Sequence, residues 1–203
     1  MRRLAGVLAL SAFLAGCISA PQSRGPAAVY DLGPLPIHEN SKCINATLLI
    51  PNIAAPSWLD SPDITYRLDY DNKTRHHAYA DSRWVAAPAA LLSQRLRQRI
   101  AAANEKGVLD SRDGAQADYL VRMELQEFTQ VFYSEKCSYV AIGLRASVIR
   151  LPDRKLIAQR SFLLRREAPS PNAEGAVKGL VDASDSLISE LIDWVSRNLA
   201  TQN

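Results

Sequence analysis

Cysteine and histidine are the side chains most able to act as nucleophiles, bases or metal ligands, and the chain holds three of each. The histidines are His38, His76 and His77. Adjacent histidines on an extended strand point to opposite faces, so His76 and His77 cannot easily share a metal ion, and both read as strand-surface residues. No His-Glu-x-x-His, Gly-x-Ser-x-Gly, P-loop or Cys-x-x-Cys pattern occurs, which removes the commonest zinc, serine-hydrolase, nucleotide and dithiol signatures. Asp60, Asp63, Asp69 and Asp71 cluster in sequence but lack the alternating ligand-and-glycine pattern of a calcium loop, and they read as turn-capping residues. Catalytic residues: none; metal ligands and cofactors: none.

The cysteines divide by context. Cys17 ends the tetrapeptide Leu14-Ala15-Gly16-Cys17, which follows Arg2-Arg3 and an apolar run from Leu4 to Leu14. That run is too short for a transmembrane helix, and the whole segment resembles a bacterial lipoprotein signal. In such processing the chain is cleaved after Gly16 and Cys17 carries a diacylglyceryl group, usually with a third, N-linked acyl chain such as palmitate. Each buried CH2 contributes about 0.8 kcal/mol and two acyl chains suffice for stable anchoring, so a domain can be held on a membrane without a spanning helix. Ile18 follows the cysteine where an Asp would resemble an inner-membrane retention signal in diderm bacteria. The expected location is therefore the outer membrane, facing the periplasm. There Cys43 and Cys137 form an even pair in an oxidising compartment, and a disulfide between them is expected. The loop so closed is long and worth roughly 4 to 5 kcal/mol in the chain-entropy model.

Composition sets the frame for these groups. The 203 residues suit one domain with its own core, and a net charge of +3, to which Arg2 and Arg3 contribute, gives no basic field for nucleic acid. The organisation expected is 1–16 signal peptide, 17–29 lipidated cysteine and Ser/Pro/Gly-rich tether, and 30–203 folded domain.

Within that domain, 46–53 reads as a buried strand with Pro51 at an edge or bulge, and 64–70 with 75–80 as a short polar hairpin. Pro88 opens a helix whose Leu92, Leu96 and Ile100 recur every four residues, leaving Arg95, Arg97, Gln98 and Arg99 on other faces. Strands over 119–133, 138–151 and 156–166 follow; in the middle one Val140, Ile142, Leu144, Ala146 and Val148 share a face. Ser170-Pro171 offers an N-cap and first-turn proline for a last helix to about Leu199. Its inward stripe is Val177, Leu180, Ser184, Leu187, Leu191 and Val195, with Asp185 and Ser189 mostly away from it. The reading is a single α+β domain, β-β-β-α-β-β-β-α, with a mostly antiparallel sheet of about six strands and two helices on one face. Trp58 and Leu59, between prolines, and Trp84, before the first helix, must either pack onto the core or offer contact surface, which makes them the candidate partner-docking residues.

Three blocks go further: Tyr30-Asp31-Leu32-Gly33-Pro34; Pro56-x-Trp58-Leu59-Asp60-x-Pro62-x-Ile64-x-Tyr66-Arg67; and Asp81-Ser82-Arg83-Trp84-x-x-x-Pro88. Together they resemble the auxiliary lipoproteins of ABC-type transporters, the PqiC (YmbA-like) family, over essentially the whole mature chain. Trp58 stands where that family often has Tyr. The resemblance implies a non-catalytic, outer-membrane-anchored periplasmic lipoprotein working with an MCE-domain protein and ABC transporter components in lipid traffic that maintains envelope integrity, with room for homo-oligomers. A stand-alone structural or assembly lipoprotein is the alternative, and a lipid- or glycan-processing enzyme the third reading.

Overall fold

The computed structural model describes residues 25–36 and 44–201. Cys17, His38, Cys43 and the signal segment lie outside the described residues.

The centre of the fold is a long strand, β6 (Tyr119–Ser134). Its odd-numbered residues Val121, Met123 and Leu125 are buried, and a register shift between Leu125 and Glu127 moves burial to Phe128 and Phe132 on the same face. Along one side runs β7 (Cys137–Arg150), antiparallel, and beyond it β8 (Lys155–Glu167), also antiparallel. The other side of β6 is shared. β2 (Leu48–Leu49) pairs near its start, with Leu48 opposite Tyr119, and β3 (Asp63–Leu68) pairs near its end, with Tyr66 opposite Gln130. Both pairings are parallel. β2 carries the two-residue β5 (Val108–Leu109), while β3 carries β4 (Asn72–Trp84), which in turn pairs with β1 (Ala28–Tyr30).

The sheet is therefore open, mixed and eight-stranded, not a mostly antiparallel sheet of six. Two causes explain the difference. β1 and β5 are too short to show an alternating pattern, and a parallel pairing joins segments distant in sequence that carry no hairpin signal. Ala28 and Val29, expected in the tether, are already strand residues.

Two helices complete the domain. α1 (Pro88–Ala102) starts at Pro88, whose missing N–H costs nothing in a first turn. α2 (Ala173–Ala200) begins later than Ser170-Pro171 suggests: Asn172 is the N-cap, its Oδ1 accepting the Gly175 N–H at 2.9 Å. Leu180, Ser184, Leu187, Leu191 and Val195 of α2 are buried over the sheet, as are Leu92, Leu96 and Ile100 of α1. The β7 face from Val140 to Val148 packs beneath α2, where Gly179 allows a close approach: a Cβ there would lie 3.0 Å from Val140. Among the described residues no helix is long and apolar enough to cross a membrane.

Candidate docking surface

The groups singled out for chemistry do not converge. Strand alternation parts the two histidines: His76 lies beside Trp58, ring centroids 5.1 Å apart, while His77 stacks on Tyr66 at 5.0 Å and 15°. Asp63 accepts from the Ser61 hydroxyl at 3.0 Å, and Asp69 pairs with Arg67 at 2.9 Å. Among the described residues no group of three His, Cys, Asp or Glu could hold a metal ion.

The docking candidates separate as sharply. Residues 57–59 form a 3₁₀ turn, closed by the Leu59 N–H to Pro56 O at 2.9 Å. Such a turn sends successive side chains in different directions, and Leu59 is 2% exposed while Trp58 is 49% exposed. Trp84 is buried, edge-on to Phe128 with centroids 5.7 Å apart. Its position at the end of β4, where Tyr30 pairs with it, turns the ring inward. Leu59 and Trp84 are thus packed into the core, and of the three candidates Trp58 alone is exposed.

Of the two cysteines expected to pair, Cys137 is exposed and sits opposite Ser134 at the far end of β6, and Cys43 lies outside the described residues.

Sequence reasoning passed over two polar constructions. At the helix–helix contact, Arg95 makes a paired bond to Asp185, Nε to Oδ1 at 2.7 Å and Nη2 to Oδ2 at 2.8 Å, and donates to the carbonyls of Gly33 and Pro34 at 2.9 and 3.1 Å. Arg99, one turn on, donates to Ser189 Oγ at 2.9 Å and lies 3.5 Å from Asp185. Both arginines are 4% exposed. Burial pulls the Arg99 guanidinium down and Asp185 opposes this. The second construction ties four elements: Tyr79 Oη donates to Gln130 Oε1 at 2.7 Å, and Gln130 Nε2 donates to Ser138 Oγ and the Ser170 carbonyl at 2.8 and 3.3 Å. Burial pushes the Tyr79 hydroxyl well above its ordinary range.

Two of the surface concavities are larger than about 300 Å³. On the sheet face turned away from the helices, Arg122, Glu124, Arg145, Ser147, Ile149 and Leu156 outline a polar hollow of about 400 Å³, crossed by the Arg145–Glu124 ion pair at 2.5 Å. At the β1 edge, Val29, Tyr30, Leu32, Val85, Val177 and Val181 line an open apolar groove of about 450 Å³. Their volumes fall inside the range of about 300 to 1,000 Å³ that small-ligand sites occupy.

A family model described as ABC-type transport auxiliary lipoprotein component matches residues 30–191, from the last residue of β1 into α2. The chain belongs to that family. The ABC-type transport auxiliary lipoproteins are not a family of enzymes, and their name assigns them to the service of transporters from a membrane-anchored position. The fold agrees with protein XCC0632 from Xanthomonas campestris at 17% identity, covering 87% of this chain and 100% of that one with a TM-score of 0.76. It also agrees with the hypothetical protein CT253 from Chlamydia trachomatis at 10% identity, 78% and 99% coverage and a TM-score of 0.53. No curated protein matches the chain. The resemblance read from the Tyr30, Trp58 and Trp84 blocks is thereby confirmed, and the structure gives those blocks their physical role: Leu32, Leu59, Ile64 and Trp84 are core residues.

Proposed function

We propose that this protein is a periplasm-facing lipoprotein of the outer membrane, anchored through acylated Cys17 after removal of residues 1–16. In this reading it serves as the non-catalytic auxiliary component of an MCE/ABC-type intermembrane lipid transport system. The observation that carries the reading is the family match over residues 30–191. The Leu-Ala-Gly-Cys17 motif with Ile18 supports the anchor and its outer-membrane destination. Energy for transport then comes from the ABC component. The contact with the MCE-domain partner is assigned to Trp58, because an exposed tryptophan on a tight turn is a preformed anchor of low entropic cost.

Affinity capture from membranes solubilised in mild detergent tests this. The wild-type protein is expected to bring down an MCE-domain protein and an ABC permease or ATPase, and Cys17→Ser to leave the membrane fraction. Trp58→Ala is expected to cost about 2 kcal/mol, near thirtyfold in affinity, with unchanged thermal stability. Capture of neither component by the wild-type chain overturns the transport reading; full capture by Trp58→Ala overturns only the assignment of the contact.

A further inference from the structure

The apolar groove at the β1 edge has a position that the domain's core does not explain. Val29 is 51% exposed and Val85 60% exposed, and both line the groove beside the N-terminal strand; Leu35, 42% exposed, follows a few residues on. The remaining large exposed apolar side chains among the described residues, Trp58, Tyr70, Tyr133, Leu156 and Leu163, stand elsewhere. β1 is the last strand of its side of the sheet, and Val177 and Val181 of α2 form the opposite wall. Asp31, an exposed lining residue, accepts from the Gly33 N–H at 2.7 Å.

We infer that this groove seats acyl chains of the bilayer to which Cys17 holds the domain, so that the β1 edge is the face turned to the membrane. The inference rests on the anchor reading above. Between Cys17 and Ala28 the chain, even fully extended, reaches less than about 40 Å. The groove therefore never leaves the vicinity of the lipid surface, and its effective concentration there is on the order of millimolar. A patch of a few valines, too small to bind membranes from free solution, is sufficient under that restraint.

The full lipidated chain, carrying Cys43→Ser and Cys137→Ser, is reconstituted into phosphatidylethanolamine/phosphatidylglycerol vesicles. An environment-sensitive fluorophore is attached through Val85→Cys, Val29→Cys or, as a distant control, Leu163→Cys. Doxyl-labelled phospholipid is expected to quench the probe about twofold or more at 85 and 29 and to leave 163 unaffected. Equal quenching at all three sites, or none at 85 and 29 while the protein still floats with the vesicles, overturns the inference. A blue-shifted but unquenched probe means that the groove holds Cys17's own acyl chain or another copy of the protein, and overturns it too. Protein that does not float with vesicles refutes the anchor itself, a result read separately from the quenching.

Discussion

One carboxylate, Asp185, serves two buried guanidinium groups across the helix pair, and its residue-level energetics are lopsided. Removing it leaves Arg95 and Arg99 charged in a site that water hardly reaches, since both residues are 4% exposed. Asp185→Ala is expected to destabilise the domain by about 3 to 5 kcal/mol, measured by urea unfolding, while Arg99→Met, which takes away the less completely paired charge, is expected to cost under about 2 kcal/mol. Equal costs would show that the carboxylate is not the pivot of the contact. The sequence concealed this cluster for a physical reason. Arg95 and Arg99 stand four residues apart, a spacing that marks a solvent face as readily as a buried one, and their shared partner Asp185 lies 90 residues beyond Arg95. By contrast, Leu92, Leu96 and Ile100 were legible because apolar burial leaves a periodic trace.

Among elements, α2 is the one whose placement depends on the smallest side chains. A Cβ at Gly175 would collide with the carbonyl oxygen of Ser170, which already accepts from Gln130, and one at Gly179 would press on Val140. Alanine in place of helical glycine ordinarily stabilises by roughly 0.5 to 1 kcal/mol. Gly175→Ala is expected to reverse that sign and destabilise by about 1 to 3 kcal/mol, read from thermal denaturation, while Gly25→Ala, with open space around it, leaves stability unchanged. A stabilising Gly175→Ala would mean that the turn before α2 yields freely. The same turn explains why the helix start was misplaced: the Ser170 hydroxyl donates to Asn172 Oδ1 at 2.8 Å, supporting the cap instead of being it. Strands β6, β7 and β8 were legible because long alternating runs joined by short turns define antiparallel neighbours. β1, β5 and every parallel pairing were not, because their hydrogen bonds depend on where distant segments arrive.

Taken as a whole, the molecule is held by one continuous hydrophobic core. Cys137, exposed with a free thiol, is expected to take one alkyl label without prior reduction in peptide mass mapping; a linked Cys43–Cys137 peptide would show that it is paired instead. Exposure of the candidate docking residues was not legible in the sequence. Trp58, Leu59 and Trp84 were equally apolar in sequence, and only the 3₁₀ turn and the end of β4 decide which ring stays outside.

The shared flank of β6 carries one more consequence, for the order in which the protein can be built. A chain that crosses a membrane through a narrow channel emerges unfolded and N-terminus first. β2 and β3 then reach the far side long before the strand both must pair with, since Leu48 waits for Tyr119 and Tyr66 for Gln130. During that interval their backbone edges stay open and Ile50, Ile64 and Leu59 have no core to enter. Export thus has a vulnerable window that closes only when β6 has passed through. For a chain exported in this way, the exposed edges and apolar residues of that interval are where aggregation would begin.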